Sequence, residues 1–168
     1  MFETGPERRV SDSAVHQIVS LWRHGASERW ALEVTIRALQ ERATYTGELV
    51  CAGLTLGGVG VPVLLLSPRG IFVFDASVGY ARSAKWPRLQ EATAAVRQAI
   101  PGYPAEIRSA VVLCDQEYPP EEFFHANGVS GVQVGSRSIG QFIDLFDDPG
   151  PLPGDLAAIR AGLAEPAQ

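Results

Sequence analysis

The chain has 168 residues, 46% of them hydrophobic and 20% charged, with a net charge of −5 and Lys85 as its single lysine. That material suits one globular domain with a core of its own, and the acidic balance argues against a protein that coats nucleic acid through a basic stripe. The most apolar window, residues 59–73, is broken by Pro62, Pro68, Arg69 and Gly70, and the N-terminus is polar and acidic, so neither a membrane span nor a secretory signal is expected.

Residues 1–10 are expected to be disordered. "SDSAVHQIVSLW" offers Ser11 as a cap and Val15, Ile18, Val19 and Trp22 as an apolar face, which predicts a short helix ending at Gly25. Ser27 can cap a second helix running to about Arg42, with Leu32, Ile36 and Leu39 as its buried stripe. Glu28 lies one turn before Leu32 on the same face. The helix dipole also favours an acid in a first turn, so both a structural and a chemical role stay open for it.

"TYTGELVCAGLTL" predicts a strand, the glycines at 57, 58 and 60 a turn, and "VPVLLLS" a second strand that tolerates Pro62 near its start. "SPRG" is a tight turn into a third strand, "IFVFDA". "WPRLQEATAAVRQAI" is a helix with Pro87 in its first turn and Leu89, Ala92, Val96 and Ile100 as its stripe. "SAVVLCD" reads as a strand buried on both faces, "GVQVGS" as a shorter strand, and "SIGQFIDLF" as a helix. "EYPPEEFFHANG" reads as a surface loop with a helical turn near Phe123 and Phe124, a pair that also suits a partner-binding patch. "DDPGPLPGD" reads as a linker before a last helix over about 156–163. The division is therefore 1–10 disordered, 11–146 an α/β domain, and 147–168 a Pro/Gly-rich linker with a short C-terminal helix. A three-strand meander followed by a helical crossover into two further strands implies a mixed central sheet with helices on both faces.

Cys51 and Cys114 each lie in an apolar run and read as buried thiols of a reducing, cytoplasmic protein. His16, His24 and His125 share no metal-ligand spacing. "GLTLGGVG" lacks the lysine and the following helix of a phosphate-binding loop. The informative residue is Asp75, an acid at the end of an apolar strand. Phosphodiester hydrolysis uses a divalent cation to polarise the phosphoryl group, magnesium takes oxygen ligands, and a nearby cation stabilises developing charge.

"GASERWALEVTIRALQ", "LLLSPRGIFVFDAS" and "WPRLQEA" together resemble the nuclease-related domain family of the restriction-endonuclease-like, or PD-(D/E)xK, superfamily. Gly25 and Glu28 match its glycine and acid at a helix start. Gly70, Phe72, Val73 and Asp75 match its third strand, and Pro87 and Gln90 its proline–glutamine helix opening. The resemblance covers about residues 25–145 and implies a restriction-endonuclease-like core. Two family positions are changed. The second-strand acid falls at Pro62, with no Asp or Glu between Glu48 and Asp75, and the catalytic lysine falls at Ser77. The segment between Ser77 and Pro87 is also short for the family.

The expectation is therefore a catalytically degenerate relative that acts as a binding or scaffolding subunit. A protein partner is favoured by the acidic charge, with DNA as the other candidate, and no resident cofactor is expected. The alternative is a metal-dependent DNA nuclease using magnesium or manganese. In it Glu28 and Asp75 are ligands, Glu48 is a further candidate ligand, Gln90 orients the phosphate or base, and Lys85 is the displaced cation. A third reading is a homo-oligomer built through Trp22, Trp30 and the Phe123–Phe124 pair, although the two tryptophans read more readily as core.

Overall fold

The computed structural model describes residues 12–78, 85–124 and 130–163, with side chains described for 27–78, 85–121 and 131–163. The region 1–10, Ser11, and the side chains of His16, Trp22, His24, Phe123, Phe124 and His125 lie outside what is described. The chain runs α1 (Asp12–Thr46), β1 (Leu49–Leu56), β2 (Val59–Ser67), β3 (Gly70–Ser77), α2 (Lys85–Ala99), β4 (Arg108–Leu113), β5 (Glu121–Phe124), β6 (Ser130–Gly135), a 3-10 turn, α3 (Ile139–Ile143) and α4 (Pro153–Leu163).

One six-stranded sheet of order β1-β2-β3-β4-β6-β5 forms the middle layer. The β1–β2–β3 meander is antiparallel, β3–β4 and β4–β6 are parallel, and β5 closes the far edge antiparallel to β6. The meander follows from its turns. Gly57 and Gly58 both have positive φ, at 56° and 79°, and Gly70 reaches 138°, conformations that side chains resist. The crossover from β3 to parallel β4 carries α2 over one face. Every residue of β3 is buried. Ile71 and Val73 face α2 and α4, whereas Phe72 and Phe74 face α1 and α3, so the sheet separates two apolar cores.

The expected mixed α/β sheet flanked on both faces is present, with two local corrections. The two N-terminal helices are one continuous 35-residue helix. A single interior glycine costs a helix about 1 kcal/mol relative to alanine, and Gly25 does not end this one. The "EEFF" stretch is an edge strand, not a loop with a helical turn. Its register, Glu121 opposite Gln133 through Phe124 opposite Ser130, comes from pairing with β6.

The segment read as a linker is tethered. Tyr103 Oη donates to Pro149 O at 2.6 Å, Arg108 bonds Asp148 at 2.9 Å, and Ile159 of α4 is buried in the α2-side core. Trp30, expected in the core, is 47% exposed. Among the described residues no helix is long and apolar enough to cross a membrane.

Candidate active site at the carboxyl end of β3

The β2 ladder on β3 reaches Val63 opposite Phe74, while the β4 ladder continues through Ser77. The next β2 residue is Pro62, which has no N–H to offer. It faces Gly53, whose φ of 68° interrupts the alternation of β1, so that Cys51 and Leu54 join the same core. Asp75 therefore sits at a strand end that is paired on one side, beside Pro62. By alternation from Ile71 and Val73 it belongs to the α2 face. It is 2% exposed.

Two helices bring partners to it. Lys85 opens α2 four residues before Leu89 and thus lies on the buried stripe of Leu89, Ala92 and Val96; it is 5% exposed. Glu28 precedes Ala31 and Thr35, both fully buried, by three and seven residues, which puts it on the inward stripe of α1. Lys85 Nζ lies 3.3 Å from Glu28 Oε1 and 3.6 Å from Asp75 Oδ1. Asp75 Oδ1 accepts the Ala76 N–H at 2.8 Å, and Asp75 Oδ2 is buried without a hydrogen-bond partner among the described residues. Three charged groups from three separate elements thus meet, with one ammonium against two carboxylates.

The other expected site residues are placed differently. Glu48 does not reach the cluster. It adjoins Leu49, which pairs with Leu66, so it sits at the far end of β2 from Pro62. Five residues of strand, roughly 17 Å, separate those ends. Its carboxylate is used there: Oε1 accepts from Arg42 Nε at 2.8 Å and Thr46 Oγ1 at 2.7 Å, and Oε2 accepts from Ser67 Oγ at 2.6 Å. Glu48 is therefore a structural acid, and its candidacy as a metal ligand is withdrawn. Gln90 is exposed on α2, five residues and roughly 140° around the helix from Lys85. Ser77 is buried, and its carbonyl accepts the Cys114 N–H at 2.8 Å. It shares the Asp75 face but brings no charge.

No family model matches the chain, and neither a curated protein nor a solved structure is significantly similar to it. Among the described residues no three His, Cys, Asp or Glu side chains are grouped closely enough to cage a metal ion. Magnesium needs no such cage, since it is commonly held by one or two carboxylates together with substrate phosphate and water. Glu28, Asp75 and Lys85 sum to one negative charge, and Asp75 Oδ2 has lone pairs that meet no donor among the described residues. A buried acceptor in that state costs about 1–3 kcal/mol, more when charged. An oxygen-seeking cation arriving with a phosphate would relieve that cost. The residues present fit such an ion.

The sequence reading gave Lys85 a role only as the displaced cation of the nuclease alternative. The signal it underused was the i, i+4 relation to Leu89. It gave no role to Gln133, which is 1% exposed on β6.

Proposed function

We propose that this chain is a metal-dependent phosphodiesterase acting on DNA, on a nuclease-related, restriction-endonuclease-like scaffold whose lysine has moved from β3 to the start of α2. The observation that carries this reading is the meeting of Lys85 Nζ with Glu28 and Asp75 at 3.3 and 3.6 Å beside an unpartnered buried carboxylate oxygen. Glu28 and Asp75 would hold magnesium or manganese. Bound there, the ion polarises the phosphoryl group and lowers the pKa of water. Lys85 offsets negative charge that develops on the phosphate. The meander, the α2 crossover and parallel β4 support the same scaffold. Pro62 and Ser77 favour a second reading, an inactive relative that binds a protein partner, because both stand where the family carries charge.

Labelled single- and double-stranded DNA incubated with the protein and magnesium or manganese separates the two. The enzyme reading expects metal-dependent cleavage by the wild type and its loss in Asp75→Asn and Lys85→Met. Absence of cleavage by a folded wild type, or cleavage that Asp75→Asn leaves intact, contradicts it and leaves the binding subunit.

A further inference from the structure

Gln133 is the second described residue with an orphaned buried polar atom: its Nε2 has no hydrogen-bond partner among the described residues. Native interiors rarely leave an amide in that state without a ligand or an ordered water. The sheet register places it. Asp75 is opposite Val111, and Val111 is opposite Gln133, across two successive parallel ladders. The three form one row, and residues of a row share a face of the sheet. Two strand spacings, roughly 9.6 Å, separate the Asp75 and Gln133 backbones.

The first turn of α2 roofs this row. Lys85 reaches Asp75, while the Trp86 ring lies on Gly131, two residues before Gln133 and on the same face. A Cβ at position 131 would stand 2.5 Å from two ring carbons, so Gly131 is what lets α2 come down there. Beneath that helix start lie one orphaned acceptor, Asp75 Oδ2, and one orphaned donor, Gln133 Nε2. Lys85 adds a second donor. Two donors and the positive end of a helix favour an oxyanion, and the acceptor favours the cation that accompanies it.

We propose that Gln133 is a ligand-binding residue of the Asp75–Lys85 site and that its carboxamide donates to a phosphate oxygen. The proposal deepens the phosphodiesterase reading, which supplies the phosphate. The position is not among those that carry the family resemblance, because it comes from β6.

The test compares wild type with Gln133→Met, which keeps the length of the side chain but has no donor, and with Gln133→Glu, which would repel an anion. Thermal unfolding is followed with and without inorganic phosphate and manganese, alongside steady-state DNA cleavage. Phosphate should raise the wild-type Tm. Gln133→Met should be at least as stable as wild type without ligand, because it removes an unpaired amide, yet lose the phosphate-dependent rise. Gln133→Glu should lose it too. For cleavage, Gln133→Met should raise KM about tenfold with a smaller effect on kcat, the scale of one hydrogen bond to a charged group. A wild-type Tm indifferent to phosphate, or a Gln133→Met protein with the full wild-type rise, overturns the proposal. A Gln133-dependent rise without any DNA cleavage overturns the nuclease reading and leaves this one standing.

Discussion

Glu48 and Asp75 are two buried carboxylates near opposite ends of the same meander, and they are treated in opposite ways. Glu48 accepts three hydrogen bonds, from Arg42, Thr46 and Ser67. Arg42 is shared with Asp144 at 2.8 Å, which ties α1 to α3. Burial works against the charge on Arg42, but its bonds to Asp144 and Glu48 outweigh that and raise its pKa. Asp75 accepts one local N–H on one oxygen and none on the other, and its lysine stands just beyond hydrogen-bond reach at 3.6 Å. A carboxylate with its lone pairs filled holds a fold together. One left short is free to take a ligand. The difference teaches that burial alone does not set a functional acid apart; unmet bonding capacity is what distinguishes Asp75 from Glu48.

The sharpest way to break the comparison is to neutralise each acid without changing its shape. Asp75→Asn should reduce metal-dependent cleavage by about 100-fold or more, the scale seen when a charge-stabilising group is removed, with a smaller loss of Tm than Glu48→Gln, because the Asp75 carboxylate accepts fewer hydrogen bonds. Lys85→Met should lower cleavage similarly. Glu48→Gln should do the reverse. It leaves Arg42 with Asp144 alone and should cost about 2 kcal/mol in urea unfolding, less than a fully dry pair because Arg42 is partly exposed, while cleavage per folded molecule stays unchanged. If Glu48→Gln abolished cleavage and Asp75→Asn only destabilised, the assignment of the two ends would be inverted.

A smaller effect is expected from Ser67→Ala, which removes one donor from Glu48 and should cost about 1 kcal/mol. Tyr103 gives the smallest, at alkaline pH. Its hydroxyl is buried and bonded to Pro149 O, and burial, assisted by the charge of Asp148, raises its pKa above the ordinary value of 10. A group whose folded pKa is raised contributes stability that is complete below the unfolded pKa and is lost as pH climbs through the folded one. The wild type should therefore lose stability above about pH 10, and Tyr103→Phe should flatten that part of the stability profile while leaving cleavage at neutral pH untouched.

Much of this was legible in the sequence because it depends on local chemistry. Paired glycines at 57 and 58 and the Pro68–Gly70 turn made the meander visible, and the stripe Leu89, Ala92, Val96 and Ile100 made α2 visible. Gly25 misled because a lone glycine weakens a helix without ending it. The "EEFF" strand was hidden because its pairing partner, β6, lies beyond it in the chain and only the fold brings the two together. Within the site, Asp75 announced itself as an acid ending an apolar strand, and Glu28 as an acid on a buried stripe. The meeting of Lys85 with both depends on how far α2 comes down over the sheet. Glu48 looked like a substitute ligand only while its distance from Pro62 along β2 was unknown. Gln133 could not be read at all, because a polar residue between two valines is assigned a face, and neighbours, by sheet register alone.

The central claim is that Asp75, not Glu48, has an oxygen available to an incoming cation. Anomalous diffraction from crystals soaked in manganese with a short DNA strand addresses it directly. The account predicts an ion about 2.1 Å from Asp75 Oδ2, with Glu28 on the same ion and Lys85 beside the phosphate. An Asp75 carboxylate without an ion at full soaking, or an ion seated on Glu48, would contradict it.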